Sequence, residues 1–182
     1  MPIENVVKAS GSKKGAGIKR RIYFGLVDQV ETWPTENASP STYEELATLT
    51  AAVAMSSGNQ MYYFDATIRK SSLQSMSAGG RGSKVAKNKL EIIRAAMTAA
   101  VVGFIMQHKN DEMFFIVNDL EGQPIFIGEE DLPAMVEEFE LGTGGDVDDE
   151  VDCKIIFEHA GRLPAFYGTV ASPLAIPLTP AA

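Results

Sequence analysis

The chain has a single cysteine, Cys153, so no disulfide can form within it. Its two histidines, His108 and His159, together with that thiol fall short of the four ligands of a closed structural zinc site. Long apolar runs are also missing. The longest, Ala95 to Met106, is about half of the roughly 20 residues that a membrane-spanning helix requires. The opening residues, MPIENVVK, lack the basic-then-apolar order of a signal peptide. A soluble protein made in a cytoplasm, with no membrane partner, is the expectation. Positive charge is in deficit too. The net charge of −8 and a pI near 4.8 exclude a protein that coats nucleic acid by bulk charge.

What remains is globular. With 182 residues, 45% hydrophobic and 22% charged, the chain suits one domain with a core large enough to fold without metals or disulfides. The charge is unevenly spread. Residues 1–21 carry six basic side chains against Glu4, and residues 66–94 carry seven against Glu91. Residues 95–162 hold sixteen acids against Lys109, Lys154 and Arg162. Solvated faces account for such clusters in many proteins. Opposite charges meeting across copies of one chain, head to tail, also account for them.

Residues 8–19 are small, basic and glycine-rich and read as an arm. Residues 21–27 and 61–68 are rich in β-formers and read as strands. Between them, Ser41 and Glu44 have the spacing of a capping box ahead of a short helix over 42–48. Residues 71–77 and 85–94 read as a hairpin whose long tip contains SAGGRGS. Ala95 to Gln107 has no alternation and is the best helix candidate. Residues 113–117 and 124–127 form a second hairpin about Gly122, and 134–141 and 151–159 read as further strands. Pro173, Pro177 and Pro180 keep the tail out of regular pairing, so it reads as an extended arm. The expected fold is mainly β: an antiparallel β-sandwich or barrel with one flanking helix, a long hairpin loop and extended terminal arms. The expected boundaries are 1–19 for the basic arm, 20–171 for one domain and 172–182 for the second arm.

No catalytic pattern emerges. Neither Gly11–Gly17 nor Gly79–Lys84 has P-loop spacing, and no GxSxG elbow is present. The acidic run 146–152 imitates part of a calcium loop, but Val151 stands where glycine is required and Phe157 where the bidentate glutamate belongs. Cys153 and His159 share one strand face, too far apart to chelate together. No cofactor and no enzymatic activity are expected.

The order of several segments resembles the major tail tube proteins of long-tailed bacteriophages. These are GIKRRIYF at 17–24, YEELA at 43–47, KNKLE at 87–91 and VGF at 102–104. They continue with FFIVNDLEG at 114–122, IGEEDLPA at 127–134, FELGTG at 139–144 and PAFYG at 164–168. The resemblance implies a β-sandwich subunit that self-assembles into hexameric rings stacked as a virion tail tube. Assembly would occur in the host bacterial cytoplasm. It also implies a lumen of negative potential through which DNA passes without sticking, and contacts with tape-measure, terminator and, in contractile tails, sheath proteins. A neck or tail-terminator component of the same fold is the alternative, and a small enzyme or nucleic-acid-binding module using the basic loops is a further one. On this reading Lys13, Lys14, Lys19, Arg20 and the tip Ala78, Gly79, Gly80, Arg81 and Gly82 contact neighbouring subunits. Glu129, Glu130, Asp131, Asp146, Asp148, Asp149 and Glu150 face the lumen or a basic partner surface.

Overall fold

The computed structural model describes residues 17–142 and 152–181, which fold as antiparallel strands with two helices. In chain order these are β1 (Ile18–Leu26), β2 (Val30–Thr32), α1 (Tyr43–Ala47), β3 (Ala54–Met55), β4 (Tyr62–Asp65), β5 (Ser72–Ala78) and β6 (Val85–Ala95). Then come α2 (Ala99–His108), β7 (Met113–Asp119), β8 (Pro124–Ile127), β9 (Met135–Leu141), β10 (Asp152–Gly161) and β11 (Ala165–Phe166). Five strands form one sheet in the order β11-β8-β7-β1-β4, and four form a second, β5-β6-β10-β9. The short strands β2 and β3, not foreseen in the sequence, pair with each other. Neither large sheet closes on itself, so the barrel alternative is set aside.

The central strand β7 explains why its sequence does not alternate. Met113, Phe115 and Val117 bury into a cluster shared with Leu90, Ile92, Ile155 and Phe157 of the second sheet. Phe114 and Ile116, on the opposite face, bury against Leu49, Val53 and Tyr167. A strand covered on both faces reads as a continuous apolar run. The second sheet does alternate. Ala86, Asn88, Leu90 and Ile92 of β6 and Cys153, Ile155, Phe157 and His159 of β10 are buried, while the lysines and glutamates between them are not.

Local chemistry shifts two helix boundaries from those expected. The cap of α1 sits one residue on: Thr42 Oγ1 accepts from Glu45 N at 3.2 Å, and the Glu45 carboxylate accepts from Ser41 N at 2.8 Å. That backbone bond, first among the causes, holds the Glu45 carboxyl below the usual carboxylate range. Helix α2 starts four residues late because Ala96 takes φ 71, leaving Thr98 to cap the helix through Val101 N. From there Val101 and Ile105 enter the shared cluster, and Phe104 packs edge-on against Phe24 with ring centroids 5.3 Å apart.

The segment after Ser172 forms no strand, as its prolines dictate, but it is laid against its own domain. Met61 N donates to Pro177 O, Ala181 N donates to Asn59 O, and Leu174 and Ile176 pack on the second cluster. The fully buried Tyr167 fastens it: its hydroxyl donates to Ala175 O at 2.9 Å and accepts from Val53 N at 2.8 Å. Burial pushes this phenol up to about 12. At the other end β1 already begins at Ile18, which is 4% exposed, so Ile18 and Lys19 belong to the sheet. No helix among the described residues is long and apolar enough to cross a membrane.

Candidate assembly surfaces

Among the described residues the second sheet ends on both sides in a strand with one free edge. Among these residues β5 pairs only with β6, at seven positions, and β9 only with β10, at six positions with a bulge between Ile156 and Phe157. Such edges present rows of unpaired amides and carbonyls, ready to accept another strand. Neither is blunted by proline, and β5 carries no charge at all. Because neighbouring strands run antiparallel and the sheet holds four, β5 and β9 point in opposite directions.

The face of this sheet away from the core is charged. Register places Lys87, Lys89 and Lys154 on it with Glu91, Glu138, Glu140, Asp152 and Glu158, three lysines against five carboxylates. Lys87 Nζ lies 2.7 Å from Glu158 Oε1, and this bond, ahead of simple charge attraction, raises the lysine's pKa. Lys70 Nζ lies 2.6 Å from Asp152 Oδ2.

The β5–β6 tip is exposed, as expected, but it has internal structure. Gly79 (φ 87) and Gly82 (φ 84) occupy the left-handed region, and a Cβ on Gly79 would lie 2.2 Å from Ser83 O. Ser83 N donates to Gly80 O, and Lys84 Nζ donates to Gly79 O at 2.9 Å. A shaped, solvent-facing tip suits a neighbour. Deleting residues 78–82 is expected to leave the melting temperature of the monomer almost unchanged while removing higher assembly. Sedimentation of both proteins checks this, and normal assembly by the deletion protein would rule the tip out as a contact.

The acids Glu129, Glu130 and Asp131 lie elsewhere, in the loop after β8, beside Trp33 and Arg162. Here they border a buried polar cluster that sequence reasoning missed. Asn88, 1% exposed, donates through Nδ2 to Arg162 O at 2.8 Å and accepts through Oδ1 from Ser75 Oγ at 2.7 Å. The carbonyl fixes Nδ2 as the donor, so the Nδ1 of His159, 2.8 Å away, must accept and the ring proton sits on Nε2. That Nε2 is 3.3 Å from Glu129 Oε1 but out of hydrogen-bond alignment. Glu129 Oε1 instead accepts from Arg162 N at 2.9 Å, and the Arg162 guanidinium bonds Glu36. The cluster ties β6 and β10 to the loops at 36 and 129.

Burial holds the His159 pKa below its ordinary value; Glu129 opposes the shift and Arg162 adds to it. The folded chain thus keeps this imidazole neutral at pH values where the unfolded chain protonates it. Its contribution is present above about pH 6.5 and is lost as pH falls below that value. Melting temperatures from pH 7.5 to 5 should fall more steeply for wild type than for His159→Gln. Equal slopes would show that another group sets the acid limb.

A cleft of about 600 Å³ opens at the corner between β4 and β5, beside the N-terminal half of α2. Arg20 stands at its lip, 3.6 Å from Asp65 and largely exposed, and Lys19 is exposed on the same strand. Arg21 binds Asp65 through Nε at 3.1 Å, and that hydrogen bond, before any other cause, depresses the aspartate's pKa. Lys13, Lys14, Asp146, Asp148, Asp149 and Glu150 lie outside the described residues. The structure brings Lys19 and Arg20 together on β1 but does not bring them to Glu129–Asp131 within one chain. The free edges and the cleft escape sequence reasoning because pairing order decides which strands end a sheet. Comparison with protein families, curated proteins and solved structures finds no match to this chain.

Proposed function

We propose that this chain is a structural subunit, a β-sandwich of the tail-tube type, that self-assembles into rings stacked as the tail tube of a phage virion. The carrying observation is the four-stranded sheet whose two edge strands, each seven residues long and opposite in direction, have one edge free among the described residues. An even strand count makes head-to-tail addition self-consistent: β9 of one copy meets β5 of the next as an antiparallel pair. Repetition of one such contact gives a closed ring if its rotation closes. The six copies that the resemblance implies would supply 24 strands. At about 4.8 Å per strand and a tilt near 40° they enclose a barrel roughly 48 Å across between backbones. The acid-rich outward face of the sheet would line it.

That lining suits passage of DNA. A wall that is net acidic neutralises no phosphates, so the counterion release that drives protein–DNA adhesion has nothing to act on. The three lysines do not reverse this, since Lys87 and Lys89 already lie against Glu158. The tip of the β5–β6 hairpin would reach the adjacent ring. In the virion the partners are the subunit itself, the tape-measure and terminator proteins and, in a contractile tail, the sheath. Assembly takes place in the bacterial cytoplasm.

Negative-stain imaging of the purified protein over a concentration series tests the reading. Rings or hollow tubes with weak, salt-insensitive retention of DNA are expected. A monomer at all concentrations, or a discrete oligomer that retains DNA and loses it steeply with salt, would overturn it.

A further inference from the structure

We propose that the buried cluster around Asn88 is an acid-sensitive latch, in which one proton on His159 unties the backbone of Arg162 and frees the turn between β10 and β11. The latch belongs to the single chain and holds whether or not copies assemble.

The amide of Asn88 has no spare capacity. Its two Nδ2 hydrogens go to Arg162 O and His159 Nδ1, each at 2.8 Å, and its Oδ1 accepts from Ser75 Oγ at 2.7 Å. With the imidazole neutral, each of these contacts pairs a donor with an acceptor. A proton on Nδ1 sets two donors against each other. Rotating the amide by half a turn repairs that contact, since Oδ1 then accepts from the imidazolium and Ser75 Oγ accepts in place of donating. It cannot repair the third contact, where Oδ1 now meets Arg162 O, an acceptor against an acceptor. Either arrangement leaves one contact broken. The charged ring takes the oxygen, because a charge-assisted hydrogen bond is roughly twice as strong as a neutral one. The bond to Arg162 O is the one lost.

The other side of the ring acts on the same residue. Nε2 is 3.3 Å from Glu129 Oε1, the oxygen that accepts from Arg162 N at 2.9 Å. Once charged, the ring competes with Arg162 N for that oxygen. It cannot swing aside: His159 is 2% exposed, and a Cβ on Gly161 would lie 2.9 Å from its Nε2. Both backbone ties of Arg162 therefore answer to one proton.

The charged groups that bear on the ring are Glu129, from the loop after β8, and Arg162, from the turn after β10. Glu36, from the loop after β2, stands behind the Arg162 guanidinium. β6 and β5 supply the neutral Asn88 and Ser75, and β9 begins at this end with the neutral Met135 and Val136. Lys87, Lys89 and Glu158 are on the opposite face of the sheet. When freed, the turn gives up one wall of a pocket of about 400 Å³, where Arg162 and Leu163 face Ser75 and Ala86. Acid thus acts at the base of the β5–β6 hairpin.

Trp33 is the chain's one tryptophan and lies beside Arg162 and Glu129, so its emission reports on the turn. Dilute protein is titrated from about pH 8 to about pH 4.5, a range that spans imidazole protonation. Trp33 emission, far-UV circular dichroism, the ring nitrogen resonances and the Arg162 amide resonance are followed together. At the upper limit His159 should carry its proton on Nε2. Its titration, centred below about pH 6.5, should move the Arg162 amide proton upfield and change Trp33 emission with the same midpoint. Circular dichroism should not change. His159→Gln should abolish the emission step. Glu129→Gln keeps an acceptor for Arg162 N but removes the charge that favours the imidazolium, and should move the step to lower pH. A proton on Nδ1 at the upper limit, a ring still neutral at the lower limit, or a titrating ring with a stationary Arg162 amide would each overturn the latch. So would an emission step that survives His159→Gln, or a loss of circular dichroism over the same range, which would make the transition global. Should His159→Gln not fold, the wild-type ring titration and Glu129→Gln decide.

Discussion

Glutamate at both Gln74 and Met76 is expected to abolish ring formation and leave a folded monomer. The two side chains sit on the outward face of β5, opposite Lys89 and Lys87 of β6, so within the chain new carboxylates meet lysines. Met76 is 49% exposed and Gln74 is also exposed, so no core packing is lost. Across a β5–β9 junction the same positions face the strand that carries Glu138 and Glu140. Like charges opposite one another in a sheet are destabilising, and at an interface they cost up to several kcal/mol. The cost recurs at every junction of a ring. Reversal of the partner strand, Glu138→Lys with Glu140→Lys, should restore assembly to the doubly acidic variant. Sedimentation velocity with parallel melting curves reads both effects. Wild-type ring yield from Gln74→Glu, Met76→Glu would show that β5 is not a junction.

Gly128→Ala is expected to destabilise the fold severely. Gly128 has φ +110, a conformation that an L side chain rarely adopts. Its Cβ would lie 2.8 Å from Phe114 Cβ, 2.9 Å from Phe114 Cα and 3.2 Å from Met113 O. These neighbours belong to β7, which is held on both sides by β1 and β8, so they cannot yield cheaply. Backbone strain of about 1–3 kcal/mol plus the enforced displacement gives a loss of at least about 3 kcal/mol. For a domain of this size that lowers the melting temperature by roughly 10 °C. Gly103→Ala is the matched control. It lies inside α2 with nothing within 4 Å of a new Cβ, and should gain about 0.5–1 kcal/mol through helix propensity alone. Calorimetry of both variants decides it, and a Gly128→Ala protein that melts like wild type would refute the steric argument.

Local pattern made the two hairpins legible. The alternation in 85–94 and 153–159 and the turn about Gly122 each depend on neighbours in sequence, and they form where expected. Strand β9 was legible for the same reason, although Pro133 also suited a helix start. The failures all involve partners distant in sequence. Nothing near Pro177 signals that Met61 N will bond its carbonyl, so the tail looked like an arm. Ile18 looked like part of a glycine-rich arm until β7 placed Asp119 beside it. Asn88 and His159 are 71 residues apart, and only the β6–β10 pairing brings their ring nitrogen and amide to 2.8 Å. The capping box failed differently: Ser41-x-x-Glu44 and Thr42-x-x-Glu45 are equally good on paper, and the chain uses the second.

The order in which strands pair also sets a timetable for synthesis. Among the described residues β9 has no strand partner but β10, and β10 must itself lie beside β6, some 60 residues earlier in the chain. The β5–β6 hairpin can close early, but the edge that β9 offers does not exist until residue 161 has left the ribosome. At about 5–20 residues per second the first edge precedes the second by several seconds. During that interval a nascent chain can offer only one of the two complementary edges. On the proposed ring reading, chains still being translated therefore cannot link to one another in series.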